Sequence, residues 1–341
     1  MIQTTTLAEP LVKEVYRLAL RRGGHVVTNF SMCDENRIFF QEASEEQLQW
    51  HSPLQVAAME TFEAYLYIRA PFNLREDQSI DNIKRNIRSV ASRSLNQIYS
   101  ERTADRSLKR CLCQYPTQAS AQQAGMSLEE YTHFVYDACK LFTEDPTESW
   151  LQVRERQQKI VDFLNQSSSI RYKNPQTDIT FNVKGRIWMN SDGQTNMPSG
   201  EVYTAPVEDS VSGVVHFDYP SIYQGHPVKG ITLWVKDGFI EKWDAKEGKD
   251  LLDQIFEIDG ARRFGEVAIG TNYNIQRPTG NILFDEKIGG TIHMAVGQAY
   301  IQTGGKNHSS VHWDMISEMK DGGEIWADNQ LIYQDGVFIL D

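Results

Sequence analysis

Six residues in the C-terminal part of this 341-residue chain are of the types that hold divalent cations: Glu201, Glu266, Glu286, His293, His312 and Asp314. Glu201 lies in NMPSGEVYTAP and Glu266 in GARRFGEVAIGTN; Glu286 and His293 share LFDEKIGGTIHMAVGQAY; His312 and Asp314 stand in NHSSVHWDMI. A solvated acid keeps polar company, whereas these are flanked by Gly, Pro and apolar residues, so the segments point to several carboxylates buried together. Buried like charges repel and require a compensating cation. Oxygen ligands mixed with imidazole suit a divalent metal such as Zn2+, Co2+ or Mn2+.

Spacing within the segments supports one shared site. If His312-Trp313-Asp314 is a strand, the imidazole and the carboxylate project to one face and the indole to the other, giving two ligands on one rigid element. His293 and Tyr300 are seven residues apart. On a helix that is almost two turns and both line one face, with Gly289, Gly290 and Gly297 allowing close backbone approach; on a strand they point apart. The expectation taken forward is the helix.

The segments NMPSGEVYTAPVEDSVSG, GARRFGEVAIGTN, LFDEKIGGTIHMAVGQAY and NHSSVHWDM occur in the order of, and are similar to, the signature segments of the thermophilic aminopeptidase family, the dinuclear metallo-aminopeptidases of the aminopeptidase T and aminopeptidase S type. Four agreeing segments are far more specific than one short motif. The resemblance implies that the six acids and histidines hold two metal ions and that Tyr300 is the active-site tyrosine. It also implies a homodimer of broad specificity. One departure lies inside the signature: two more residues separate Glu286 from His293 than in the family pattern. Another lies at the start, where the family has a helix and most of a first strand before the point matching Met1. The expectation is therefore an amino-terminal sheet that lacks a strand and exposes an edge.

Around these residues the chain changes character. The first part alternates helix and strand signals. LAEPLVKEVYRLALRRGG carries Leu11, Val15, Leu18 and Ala19 on a stripe that stops at Gly23-Gly24; HVVTNF, AYLYIRAP and KRCLCQYP read as strands; Gln55 to Glu63 reads as a helix. Ile80, Ile83, Ile87, Val90 and Ile98 predict one longer helix, and Ser127 with Glu130 a capping box. Strands separated by helices predict a parallel α/β domain over 1–166. After the polar stretch Asn165 to Ser169, alternating runs joined by Asp-Gly or Gly turns predict a β-rich α+β catalytic domain over 167–341.

Composition narrows the function. Lys plus Arg is 34 against 46 acids, a net charge of −12, which excludes a phosphate-binding surface of the nucleic-acid kind and favours a substrate with a free amino terminus. No apolar run reaches membrane-spanning length, and the start has no secretion-signal pattern, so a cytoplasmic protein is expected. The four cysteines show no zinc-ribbon spacing; Cys111 and Cys113 are expected to be buried on one strand face. His308 is expected at the rim, His216 and His226 as ordinary polar residues, and the Arg262-Arg263 pair in structural ion pairs, with at most one of them touching substrate. No activated Cys nucleophile, serine elbow or phosphate loop is present.

The reading is a metal-dependent aminopeptidase. Two ions ~3.5 to 4 Å apart would activate a water, Glu266 would bridge them, and Tyr300 would donate to the oxyanion. Two rivals stand beside it: a dinuclear hydrolase of another amide or ester, and a peptide-binding module with a vestigial site.

Overall fold

The computed structural model describes residues 1–223 and 225–340. The chain forms two compact units, Met1–Val135 with Gln194–Met197, and Tyr136–Gly193 with Pro198–Asp341. The helix Pro146–Leu164 therefore belongs with the second unit.

In the first unit five parallel strands stand in the order Thr28–Ser31, Ile2–Thr5, Ala64–Arg69, Lys109–Gln114, Asn196–Met197. Ile2–Thr5 alternates buried and half-buried residues and is paired on both sides, so it is an inner strand of this sheet. Helix Glu9–Arg21 lays Val12, with Leu11 and Val15, on the core formed by Ile2, Ala8, Ile68 and Ala70. It ends where the N–H of Gly24 donates to the Ala19 carbonyl, with Gly23 at a positive φ of 80°. The capping box is present: Ser127 Oγ accepts from Glu130 N at 3.2 Å, and Glu130 Oε2 from Ser127 N at 2.8 Å. The single helix expected through Ile80 and Ile98 is instead two, Asn82–Ala91 and Arg93–Ala104, hinged at Ser92. Ile83 is 71 % exposed, so the stripe that suggests one long helix does not bury a continuous face. Cys111 and Cys113 are half-buried rather than buried; Cys113 packs against the core, and burial pushes its thiol up to about 12.

The second unit is built around two large antiparallel sheets, with a small two-stranded one, Ser221–Tyr223 with His226–Val228, beside them. Eight strands run in the order Phe239–Asp244, Ile231–Lys236, Ser212–Phe217, Thr177–Asn182, Ser169–Asn174, Glu324–Ala327, Gln330–Gln334, Val337–Phe338. Five run in the order His312–Glu318, Thr291–Gly297, Phe264–Gly270, Glu201–Thr204, Met189–Ser191. One apolar core unites them: Tyr172, Phe181, Val215 and Leu233 from the first sheet meet Val202, Val267, Ile269, Met294, Trp313 and Met315 from the second. Ile160, Val161 and Leu164 of helix Pro146–Leu164 join the same core. The polar stretch after that helix is a tied turn, because Asp328 accepts from the backbone N–H of Ser168 and Ser169, and Asn165 from that of Trp188.

Candidate metal centre

The five-stranded sheet turns one face to the core and the other to the candidate site, and strand alternation decides which residue goes where. Ile292, Met294 and Val296 enter the core, so His293 points the opposite way; Trp313 and Met315 do the same for His312 and Asp314. This confirms the strand expected for His312-Trp313-Asp314 and corrects the helix expected for His293 to Tyr300. Thr291–Gly297 is a strand buried on both faces, and a continuously apolar run carries no periodicity that separates a buried strand from a buried helix. Tyr300 follows a turn and caps the short 3-10 helix Ile301–Thr303. It still reaches the same site: its ring lies 5.0 Å from the His312 ring and 5.7 Å from Tyr203.

Glu266 needs an irregularity to face the site. Phe264 pairs with Val296 and Glu266 with Ala295, so Gly265 is an inserted bulge residue that puts Phe264 in the core and Glu266 on the opposite face. Only glycine fits there: a Cβ would stand 2.4 Å from the Gln298 carbonyl oxygen and 2.5 Å from that of Gly297. Small residues make room across the face. Ala295 separates Glu266 from Asp314 in one row, Gly297 stands opposite His312, Ala268 opposite His293, and Gly270 opposite Glu201.

The side chains converge into three overlapping sets whose ligand atoms all lie within 4.8 Å of one another: Glu201 with Glu266 and His293, Glu266 with His312 and Asp314, and Glu286 with His293 and Asp314. His293 Nε2 stands 3.2 Å from Glu201 Oε2 and 3.7 Å from Glu266 Oε1. His312 Nε2 stands 3.2 Å from Glu266 Oε2 and 3.6 Å from Asp314 Oδ2. Each oxygen of Glu266 thus faces a different imidazole. His312 Nδ1 lies 2.8 Å from the Gln298 carbonyl, which accepts its proton and leaves Nε2 directed at the carboxylates, the arrangement metal-binding histidines use. Glu286 follows the short helix Ile282–Asp285 rather than lying on a strand.

Ionisation follows from this crowding. Burial works against the charge on Glu266, yet His293 and His312 outweigh it and bring the carboxyl down to about 2. Glu286 behaves oppositely: burial, with Glu201 and Asp314 as like charges and against the pull of Lys287, pushes it up to about 8. Burial lowers His312, but Asp314 and Glu266 prevail and hold it up at about 10. Desolvation, then Glu266, Asp314 and Glu286, raise the Tyr300 hydroxyl well above the usual phenol range, so it is kept as a donor although the residue is 37 % exposed.

The donor set fits a divalent cation. Among the described residues His293 Nδ1 and Asp314 Oδ1 are buried without a hydrogen-bond partner, while His293 Nε2 faces carboxylates, and such groups are costly unless something polar or charged completes them.

Sequence reasoning missed Lys287. It is 0 % exposed, its ammonium contacts Glu286, and it lies 3.5 Å from Glu201 Oε1. Burial would lower its pKa, but Glu201 and Glu286 hold it above the ordinary lysine value. The available signal is a lysine inside the apolar LFDEKIGG segment, directly after a candidate ligand. The remaining expectations sort simply. His308 and His226 are exposed, and His216 is buried with Nδ1 2.8 Å from Thr232 Oγ1. The arginine pair is structural and, among the described residues, forms no ion pair: Arg263 donates to the Glu208 carbonyl at 2.9 Å, and Arg262 stacks 4.5 Å over Trp243.

A family model described as thermophilic metalloprotease (M29) matches residues 1–338. The chain belongs to that family. It is 28 % identical to aminopeptidase 2 of Geobacillus stearothermophilus over 91 % of this chain and 84 % of that protein. To aminopeptidase T of Thermus aquaticus it is 29 % identical over 59 % of this chain and 57 % of that protein. Among solved structures, wild-type AmpT from Thermus thermophilus superposes with a TM-score of 0.84 at 23 % identity, covering 99 % of this chain and 93 % of that one. The 2,5-dihydroxypyridine dioxygenase of Pseudomonas putida KT2440 shares the fold more distantly, with a TM-score of 0.61 at 14 % identity over 100 % of this chain and 91 % of that one. Those two proteins are named for different reactions, so the fold alone does not choose the chemistry.

Proposed function

We infer that this metalloprotease-family chain is a metal-dependent aminopeptidase whose centre would hold two divalent ions, with Glu266 shared between their ligand sets. The observation that carries the two-ion reading is the division of Glu266, with one oxygen toward His293 and the other toward His312, between two ligand sets. Glu201 and His293 would complete one position and His312 and Asp314 the other, with Glu286 grouped with His293 and Asp314 beside both. Divalent ions at such a site polarise a carbonyl and lower the pKa of a water. The chain supplies the rest. Tyr300, kept protonated and edged by Tyr203, is the donor for the developing oxyanion. Gln298, through its carbonyl, fixes the ring of His312. The acids of the site favour the amino terminus of a peptide over a carboxylate, which matches the relatives named as aminopeptidases.

Zinc, cobalt or manganese, a homodimer and a cytoplasmic location belong to the same reading; four cysteines joined in no disulfide suit a reducing compartment. Among the described residues no helix is long and apolar enough to cross a membrane. The test is hydrolysis of amino-acid anilides by protein stripped with a chelator and then titrated with Zn2+, Co2+ or Mn2+. Activity should vanish on stripping, return at about two equivalents per chain, and be absent with amino-blocked substrates. Full activity in the stripped protein, or equal rates on blocked substrates, would refute the assignment.

A further inference from the structure

The three ligand sets are not equivalent, because a buried lysine stands against two of them. Lys287 contacts Glu286 of the Glu286–His293–Asp314 set, and its Nζ lies 3.5 Å from Glu201 of the Glu201–Glu266–His293 set. Asp314 of the Glu266–His312–Asp314 set also acts on its charge, but less than Glu201 and Glu286 do, and among the described residues neither acid of that set forms an ion pair with it. The lysine is held in place from both sides of its backbone, its N–H donating to Phe284 O at 3.0 Å and its carbonyl accepting from Asn272 N at 2.9 Å. A wholly buried ammonium survives only beside anions, so Glu201 and Glu286 are already partly neutralised. A divalent ion bound through Glu201 would share that carboxylate with a positive charge a few ångströms away, in surroundings where screening is weak.

We propose that Lys287 makes the two metal positions unequal: the Glu266–His312–Asp314 position binds a divalent ion tightly, and the Glu201–Glu266–His293 position binds one much more weakly. The proposal rests on the two-ion reading given above. Lys287 acts on the centre through Glu201 and Glu286, as a positioning residue that sets the order of loading.

The experiment is equilibrium binding of Co2+ to the stripped full-length chain, followed by metal analysis after dialysis and by the visible spectrum of the bound ion. Wild type should load in two steps whose dissociation constants differ by about 10- to 100-fold, the usual size of effects from residues next to metal ligands. Lys287→Met keeps the length and loses the charge. It should tighten the second step about 10- to 100-fold and change the first by no more than a few-fold. Lys287→Gln is measured in parallel, so that a folding defect in one variant does not decide the outcome. A wild type that binds one ion while both variants bind two supports the proposal in its limiting form. Two equal steps in wild type, or a separation unchanged in both variants, overturns the role of Lys287 and leaves the two-ion centre standing. Failure of every form to bind any ion overturns the metal centre itself, and the inference with it.

Discussion

The two faces of the five-stranded sheet are made from the same strands and differ in almost everything else. Toward the core stand Val202, Phe264, Val267, Ile269, Ile292, Met294, Val296, Trp313 and Met315, all buried and apolar. Toward the site stand Glu201, Glu266, His293, His312 and Asp314, spaced by Ala268, Gly270, Ala295 and Gly297. The core face is close-packed and stabilises by excluding water. The site face concentrates like charge, which costs stability unless a cation joins it. One polypeptide can do both because side chains alternate, so the stabilising face holds the strained one in register. The prediction contained in this contrast is a separation of effects: changes on one face should alter metal content, and changes on the other should alter folding.

The largest effect is expected for Glu266→Gln, which keeps the side-chain shape and removes the charge facing both imidazoles. Metal affinity and turnover should fall together by more than the ~10- to 100-fold typical of supporting residues. Metal analysis and kcat on one preparation check this. Unaltered metal content would mean that the two faces do not divide the labour as described. Next comes Tyr300→Phe, which preserves the ring against His312 and Tyr203 and deletes one donor. Loss of about 10² to 10³ in kcat, on the order of 3 to 4 kcal/mol, is expected with bound metal and KM nearly constant. Loss of metal instead would make Tyr300 a ligand.

On the core face the expectation reverses. Met294→Ala opens a cavity in the shared core, and large-to-small changes of this kind cost about 2 to 5 kcal/mol. Denaturant unfolding of the metal-loaded protein should show that loss while the stoichiometry of bound metal stays at the wild-type value. A fall in stoichiometry at saturating metal would show that the core face reaches into the site.

How much of this is legible in the sequence follows the same division. Acids in apolar and glycine-rich surroundings, and the His-Trp-Asp alternation, announce the candidate ligands, because burial of charge is a local anomaly that one chain displays by itself. Parallel strands separated by helices, followed by alternating runs with Asp-Gly turns, likewise announce an α/β part and a β-rich part. His293 to Tyr300 reads as helix because both faces of the strand Thr291–Gly297 are covered, by the core on one side and by the site on the other, which erases the alternation. Ile2–Thr5 is not picked out as a strand because its partners, Thr28–Ser31 and Ala64–Arg69, lie far along the chain. Lys287 is passed over for a related reason: its apolar surroundings are a signal, but its partner Glu201 is distant in sequence, and a lysine beside a glutamate reads as a solvated pair until its burial is seen.

The smallest expected effect is also the sharpest test of the two-faced sheet, and it falls on Gly265. Phe264 and Glu266 are two residues apart, so a regular strand would send both to one face. The bulge at Gly265 sends them to opposite faces, and backbone carbonyl oxygens 2.4 and 2.5 Å from where a Cβ would stand leave no space for a side chain. Both obstructing atoms belong to backbone, so Gly265→Ala must displace the turn at Gly297-Gln298 rather than a flexible side chain. Overpacking of this size costs about 1 to 3 kcal/mol. The same turn carries the Gln298 carbonyl that accepts from His312 Nδ1, so the displacement should also loosen His312 and weaken metal binding by about 10-fold. Unfolding and metal titration on the same variant would read both. A stability loss without any change in metal affinity would show that the bulge serves packing alone and that Glu266 can reach its position from a regular strand.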